Sequence, residues 1–171
     1  MQEAGSSICL KVKMDSKDIE KIQNLGKRLK QINSKFKLLN LLRQAKEEYD
    51  KTQFEDCIKT CEEALKINPS DSAALRGLGC STQAMGDFEK AKEYYLKALK
   101  FSKHKEIEYT LLGTLYYLED DLETALKYYN FAIDVNEGYD PAYEGKNQTM
   151  LEKHLQILDL QDMLIKQEFK K

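Results

Sequence analysis

Seven small or apolar residues recur at an interval of 34 residues without an insertion, and few folds tolerate such a pattern. Ala91 falls on Cys57 and Ala125, Tyr95 on Cys61 and Tyr129, Ala98 on Ala64 and Ala132. Leu99 falls on Leu65 and Ile133, Phe88 on Phe54 and Leu122, Gly79 on Ala45 and Gly113, and Leu78 on Leu112. Inside one unit, "MGDFEKAKEYYLKALKF" (85–101) sets Phe88, Ala91, Tyr95 and Ala98 three or four apart, which is one apolar stripe of a helix. Alanine fills little of a core by itself. A helix that keeps Ala91 and Ala98 on its stripe is therefore approached closely by another helix.

Each unit reads as two helices joined by a tight turn: 38–51 with 54–67, 72–85 with 88–101, and 106–119 with 122–135. Gly79, Gly113, Ala91 and Ala125 remove side-chain bulk where the paired helices pass, and Tyr95 and Tyr129 fill the gap toward the neighbouring pair. A hairpin of this kind keeps an apolar face that only a neighbour can cover, so the units stack. The expected fold class is all-α: a right-handed α-solenoid of three helix hairpins with flanking N- and C-terminal helices.

The segments "LGCSTQAMGDFEKAKEYYLKAL", "LGTLYYLEDDLETALKYYNFAI" and, more weakly, "QAKEEYDKTQFEDCIKTCEEALKINP" resemble the tetratricopeptide repeat. The resemblance covers 38–139, with repeats at 38–71, 72–105 and 106–139. Of the proline that closes each repeat in that family only Pro69 is present, with Lys103 and Glu137 at the other two places. Gly86 supplies the flexible hairpin residue of repeat two, where repeats one and three have Thr52 and Asp120. The family implies a non-enzymatic protein–protein interaction module, a scaffold or adaptor that holds a peptide or helix in a concave groove lined by the first helix of each repeat. Carried over position by position, the groove comprises Leu39, Leu42, Lys46 and Tyr49 from repeat one, and Ala73, Arg76, Cys80 and Gln83 from repeat two. Repeat three supplies Ile107, Thr110, Thr114 and Tyr117. Lys46 and Arg76 are its only fixed positive charges; alternatively, Leu39 and Leu42 are already covered by the N-terminal helix.

The chaperone-adaptor variety of this family grips a C-terminal carboxylate with Lys and Asn in repeat one, Asn in repeat two, and Lys and Arg in repeat three. The matching positions here are Leu42 and Lys46, Gly77, and Ile107 and Leu111. Four of the five lack a suitable donor, so the EEVD tail of heat-shock chaperones is not an expected ligand. The chain also looks like the small chaperones of type III secretion translocators, whose middle unit "LRGLGCSTQAMGDFEKA" is similar to. That resemblance implies an aggregation-prone partner.

Ile22, Leu25, Leu29, Ile32, Phe36 and Leu39 alternate three and four apart, so a basic amphipathic helix with a heptad-like stripe is expected over 15–37. It starts near Asp15 or Ser16 and is expected to break near Asn33–Ser34, with Ser34 capping the next helix; residues 1–14 read as a tail. Asp140 with Pro141 opens the C-terminal capping helix, 140–171: a capping oxygen, then a proline where no amide partner is needed. Its first half takes the place of a fourth repeat's first helix. Its second half holds Ile157, Leu158, Leu160, Met163, Leu164, Ile165 and Phe169, more apolar surface than a solvent-facing cap requires. It either folds over the last repeat or offers a surface for a homodimer or another partner.

Charge is split along the chain. Residues 1–46 carry 11 Lys+Arg against 4 Asp+Glu, and residues 47–171 carry 16 against 25, within a net charge of −2. The basic stretch lies against the acidic repeats, is solvated, or anchors the chain to a membrane or RNA surface. Phe36 is the only aromatic residue between 11 and 46, so stacking on single strands is not expected, and nucleic acid or membrane is the minor reading.

The start lacks the apolar stretch of an export signal, which points to a cytoplasmic protein with reduced Cys9, Cys57, Cys61 and Cys80. Cys57 and Cys61 lie four apart on one helix face with no histidine near them in sequence, which reads as two small buried thiols rather than a zinc site. There is no Gly-rich phosphate loop, H-E-x-x-H or G-x-S-x-G. No catalytic residue, metal or cofactor is expected.

Overall fold

A computed structural model describes residues 15–168. The expected tail at 1–14 and Phe169 lie outside the described residues. Seven helices follow one another: α1 (Ser16–Asp50), α2 (Phe54–Ile67), α3 (Ser72–Ala84), α4 (Phe88–Phe101), α5 (Lys105–Leu118), α6 (Leu122–Val135) and α7 (Asp140–Glu168). Among the described residues there is no strand, and the fold is an all-α helical repeat. The chain divides into two parts, 15–37 and 38–168.

From α2 onward consecutive helices pack against one another, and small residues set their spacing. Ala64, Ala91, Ala98, Ala125 and Ala132 are wholly buried. Tyr95 is wholly buried on α3, where a Cβ placed on Gly79 would overlap its ring. Tyr129 lies between two glycines: a Cβ on Gly113 of α5 would come within 2.9 Å of the ring, and one on Gly145 of α7 would overlap it. Leu78, Leu112 and Leu115 complete the buried surface.

The turns between paired helices are alike in all three repeats. Thr52, Gly86 and Asp120 have φ of 60°, 85° and 63°, a left-handed conformation that costs a non-glycine residue about 1–2 kcal/mol. In each, the residue after it donates back across the helix end: Gln53 to Glu48, Asp87 to Thr82 and Asp121 to Tyr116, all at 2.9 Å. The next helices of repeats two and three begin on Asp87 and Asp121, whose carboxylates accept from the Lys90 and Thr124 amides. The closing hydrogen bonds, rather than glycine, hold the turn of repeats one and three.

Two expectations about the flanks are corrected. The N-terminal helix does not break at Asn33–Ser34, and α1 is continuous for 35 residues. No proline interrupts it, and the Ser34 hydroxyl bonds back to the Gln31 carbonyl (3.0 Å) instead of capping a new helix. In 15–37, Ile22, Leu25, Leu29, Ile32 and Phe36 are all exposed. Leu39 is 64% exposed, so it is not covered. At the other end, Asp140 is itself the first residue of α7. Ala142 and Thr149 are wholly buried, as a fourth repeat's first helix requires. The second half of α7 does not fold back over the last repeat: Ile157, Leu158, Leu160, Met163, Leu164 and Ile165 are all exposed. Beyond Gly145 nothing in the sequence breaks the helix, and its 29 residues run about 44 Å.

Tyr95→Ala is expected to lower stability by about 3–5 kcal/mol through the cavity it opens. Ala98→Leu should cost about 1–3 kcal/mol by overpacking, both read by urea denaturation. Thr52→Gly should raise stability by about 0.5–1 kcal/mol, because relief of the left-handed strain exceeds the added unfolded-state entropy.

Candidate functional site

The first helices of the repeats, residues 38–50 of α1 with α3 and α5, continue into the start of α7. Between α1 and α3 a cavity of about 400 Å³ opens, with α2 as its floor. Leu42, Lys46, Tyr49, Ala73, Arg76 and Cys80 line it, all of them positions expected in the groove. The remainder of the wall is Ala45, Asp50, Cys57, Cys61 and Gly77.

The cavity has an origin in the repeat itself. Tyr95 and Tyr129 place a ring between neighbouring helices, but the same position of repeat one holds Cys61. The tyrosine hydroxyls are anchored at the groove: Tyr95 Oη donates to Gln83 Oε1 (2.7 Å), and Tyr129 Oη pairs with Thr114 Oγ1 (3.1 Å). A thiol reaches neither place. Gly77 packs directly against this thiol, since a Cβ on it would stand only 2.6 Å from Cys61 Sγ.

The surroundings keep the floor uncharged. Burial pushes the Cys61 thiol far up, with Cys57 adding to the shift, and burial raises Cys80 as well. Both are neutral thiols that pack as small apolar groups. The Tyr49 phenol is raised first by burial and then by Cys80 and Cys57. Both groove cations have acidic partners. Lys46 Nζ lies 3.6 Å from Asp50, on an exposed surface. Arg76 Nε donates to Glu108 Oε1 at 3.0 Å. Glu108 is wholly buried and also accepts from Ser102 Oγ (3.1 Å). Arg76 thus ties repeat two to repeat three beside the groove, in addition to facing the cavity.

The other expected groove residues lie outside the cavity. Gln83 is bonded to Tyr95, and Ile107 is half-buried. Thr110 is buried and donates to the Glu106 carbonyl (2.8 Å), while Thr114 donates to the Thr110 carbonyl (3.0 Å). Tyr117 Oη accepts from Gln148 Nε2 of α7 (3.3 Å). The hydroxyls of repeat three are therefore engaged within the protein. The pattern of groove positions did not indicate Ala45, Asp50, Cys57 or Cys61, although the exchange of tyrosine for cysteine at 61 was a visible signal. Among the described residues no cluster of three His, Cys, Asp or Glu converges as metal ligands would, and no helix is long and apolar enough to cross a membrane.

Residues 77–104 match the family model of the tetratricopeptide repeat. Over 72 residues the chain is 32% identical to the mouse (Mus musculus) BBSome complex member BBS4, an alignment spanning 42% of this chain and 14% of that protein. The matching segment of the Bos taurus protein spans 15% of its length at 30% identity. Among solved structures, the Yersinia enterocolitica type III secretion chaperone SycD, in complex with a peptide of the translocator YopD, superposes with a TM-score of 0.60 at 19% identity. That superposition covers 68% of this chain and 94% of SycD. The first tetratricopeptide repeat domain of Spaghetti (RPAP3), bound to the HSP90 peptide SRMEEVD, superposes with a TM-score of 0.62 at 14% identity, covering 69% of this chain and 94% of that one. Identities this low show the fold alone.

Arg76→Leu leaves the buried Glu108 without its cation and is expected to destabilise by about 3–5 kcal/mol. Arg76→Leu combined with Glu108→Leu should recover most of that loss, which a double-mutant cycle in urea measures.

Proposed function

We propose that this chain, a tetratricopeptide-repeat protein, is a non-enzymatic scaffold or adaptor that holds a peptide or helix of another protein in the groove formed by α1, α3 and α5. The observation that carries this reading is the cavity between α1 and α3. Six of the residues that the repeat assigns to the groove converge on it. Its floor is apolar and uncharged, and Tyr49 and Arg76 are side chains of the kind that anchor interfaces. The structural neighbours solved with a YopD peptide and an HSP90 peptide support this reading, since the same fold holds a peptide in each. The free thiols of Cys57, Cys61 and Cys80 suit a reducing compartment such as the cytoplasm. The likeness to SycD supports, as a narrower version, a chaperone for an aggregation-prone partner. The exposed second half of α7 is the surface on which a second copy would pair.

A second reading is favoured by the basic stretch. Ile19, Ile22, Leu25, Leu29, Ile32 and Phe36 are exposed on a helix that also carries Lys17, Lys21, Lys27, Arg28, Lys30, Lys35 and Lys37. Such a helix lies on an anionic surface. Co-sedimentation with phosphatidylserine vesicles across a salt series separates the two readings: anchoring falls steeply with salt, while groove binding does not.

Peptides selected on the chain from a random-sequence display library should lose about tenfold or more in affinity on Leu42→Asp with Tyr49→Ala, and vesicle binding should be untouched. Selected peptides that bind this double variant as well as the parent would refute the groove. An EEVD peptide is expected to show no binding by calorimetry, because Leu42, Gly77, Ile107 and Leu111 offer its carboxylates no donor. A sub-micromolar dissociation constant would contradict this.

A further inference from the structure

We infer that the cavity beside Cys61 is the anchor of the groove and accepts an aromatic side chain, phenylalanine or tyrosine, of the bound peptide; the inference rests on the groove reading above. Repeats two and three show what the space is shaped for. Tyr129 has Gly113 and Gly145 on its two sides and Thr114 at its hydroxyl. Tyr95 has Gly79 beside its ring and Gln83 at its hydroxyl. In repeat one the corresponding positions are Ala45, Gly77, Lys46 and Tyr49. All four stand on the cavity wall. The residues that would enclose a tyrosine ring are in place, and the ring is not, because Cys61 ends at its sulfur.

An aromatic guest meets each demand of that space. Ala45, Ala73 and Gly77 keep the walls of the cavity free of bulk, which leaves room for a ring. The thiols of Cys57 and Cys61 on the floor present polarisable sulfur, which packs well against a ring edge. Tyr49 and Lys46 hold the repeat positions of Gln83 and Thr114, which satisfy the tyrosine hydroxyls of the other repeats, so a guest phenol finds polar residues at the wall. Lys46 also opposes a cationic guest. The mouth is open beside Ala73, which is exposed. A buried aromatic is the kind of side chain on which binding energy concentrates.

p-Cresol, the tyrosine side chain as a free molecule, tests this on the full ¹⁵N-labelled chain. Saturable amide shifts are expected at Ala45, Gly77 and Cys80. Affinity should fall about tenfold or more in Cys61→Tyr, which supplies the ring from within. It should fall likewise in Ala73→Trp, which obstructs the mouth from an exposed position and keeps the test valid where Cys61→Tyr does not fold. Absence of saturable shifts, or equal p-cresol binding by both folded variants, overturns the inference. In the display selection, phenylalanine or tyrosine at one fixed position, with about tenfold loss on Cys61→Tyr or Ala73→Trp, supports it. Binders without an aromatic residue, weakened by Leu42→Asp yet indifferent to the slot variants, overturn the anchor and leave the groove standing. A library that yields no binder defeats the groove reading, and the guest with it, whatever p-cresol does.

Discussion

A tyrosine ring packed against a glycine sets the distance between helices in repeats two and three. The backbone of α3 reaches the ring of Tyr95 at Gly79, and α5 reaches Tyr129 at Gly113. Any larger residue there would push the helices apart. Once that distance is fixed, the buried alanines at 91, 98, 125 and 132 follow, since nothing longer fits between backbones held so near. The next repeat closes on the same ring, as Gly145 does on Tyr129. Stacking and hairpin formation are thus one packing event viewed from two sides. This is why the recurrence of small residues constrains the chain more tightly than its overall composition does.

The same ring carries the fold into the groove. Tyr95 and Tyr129 start in the core and end at a polar partner on the first helix, at Gln83 and Thr114. Each repeat that has its tyrosine therefore closes the space behind its groove wall. Repeat one has Cys61, and its groove wall opens into a cavity floored by the thiols of Cys57 and Cys61. Loss of the ring at one repeat position leaves a recess where the other repeats have a packed surface.

The hairpins were legible in the sequence because packing at an interval of 34 residues repeats the same physical requirement three times over. The turns were less so. Thr52 and Asp120 looked unsuited to a place that favours glycine, yet both adopt the left-handed conformation, because the back-donated amides of Gln53 and Asp121 secure it. The flanks were misjudged where one local signal was weighed without its competitor. Ser34 reads as a cap, but a serine hydroxyl also bonds to the carbonyl three residues back, and in an unbroken run of helix formers it does so. Of the groove, Leu42, Lys46, Tyr49, Arg76 and Cys80 could be placed from repeat position. That Arg76 is paired with a buried Glu108 could not, since its partner is 32 residues away on the next repeat and nothing local marks it.

Repeat one gives up packing at the place where the groove deepens. It has Ala45 where the others have glycine and Cys61 where they have tyrosine, so its hairpin has no tyrosine ring to pack on the first helix. Its turn rests on a β-branched Thr52 with positive φ, a strained choice. A repeat array has no single shared core to compensate for this; each repeat depends on its own hairpin and its neighbours. Repeat one is consequently the part of 38–139 whose opening costs least. A guest ring in the Cys61 slot would restore the contact that the other repeats make internally. Binding and completion of the fold in repeat one are then the same contact.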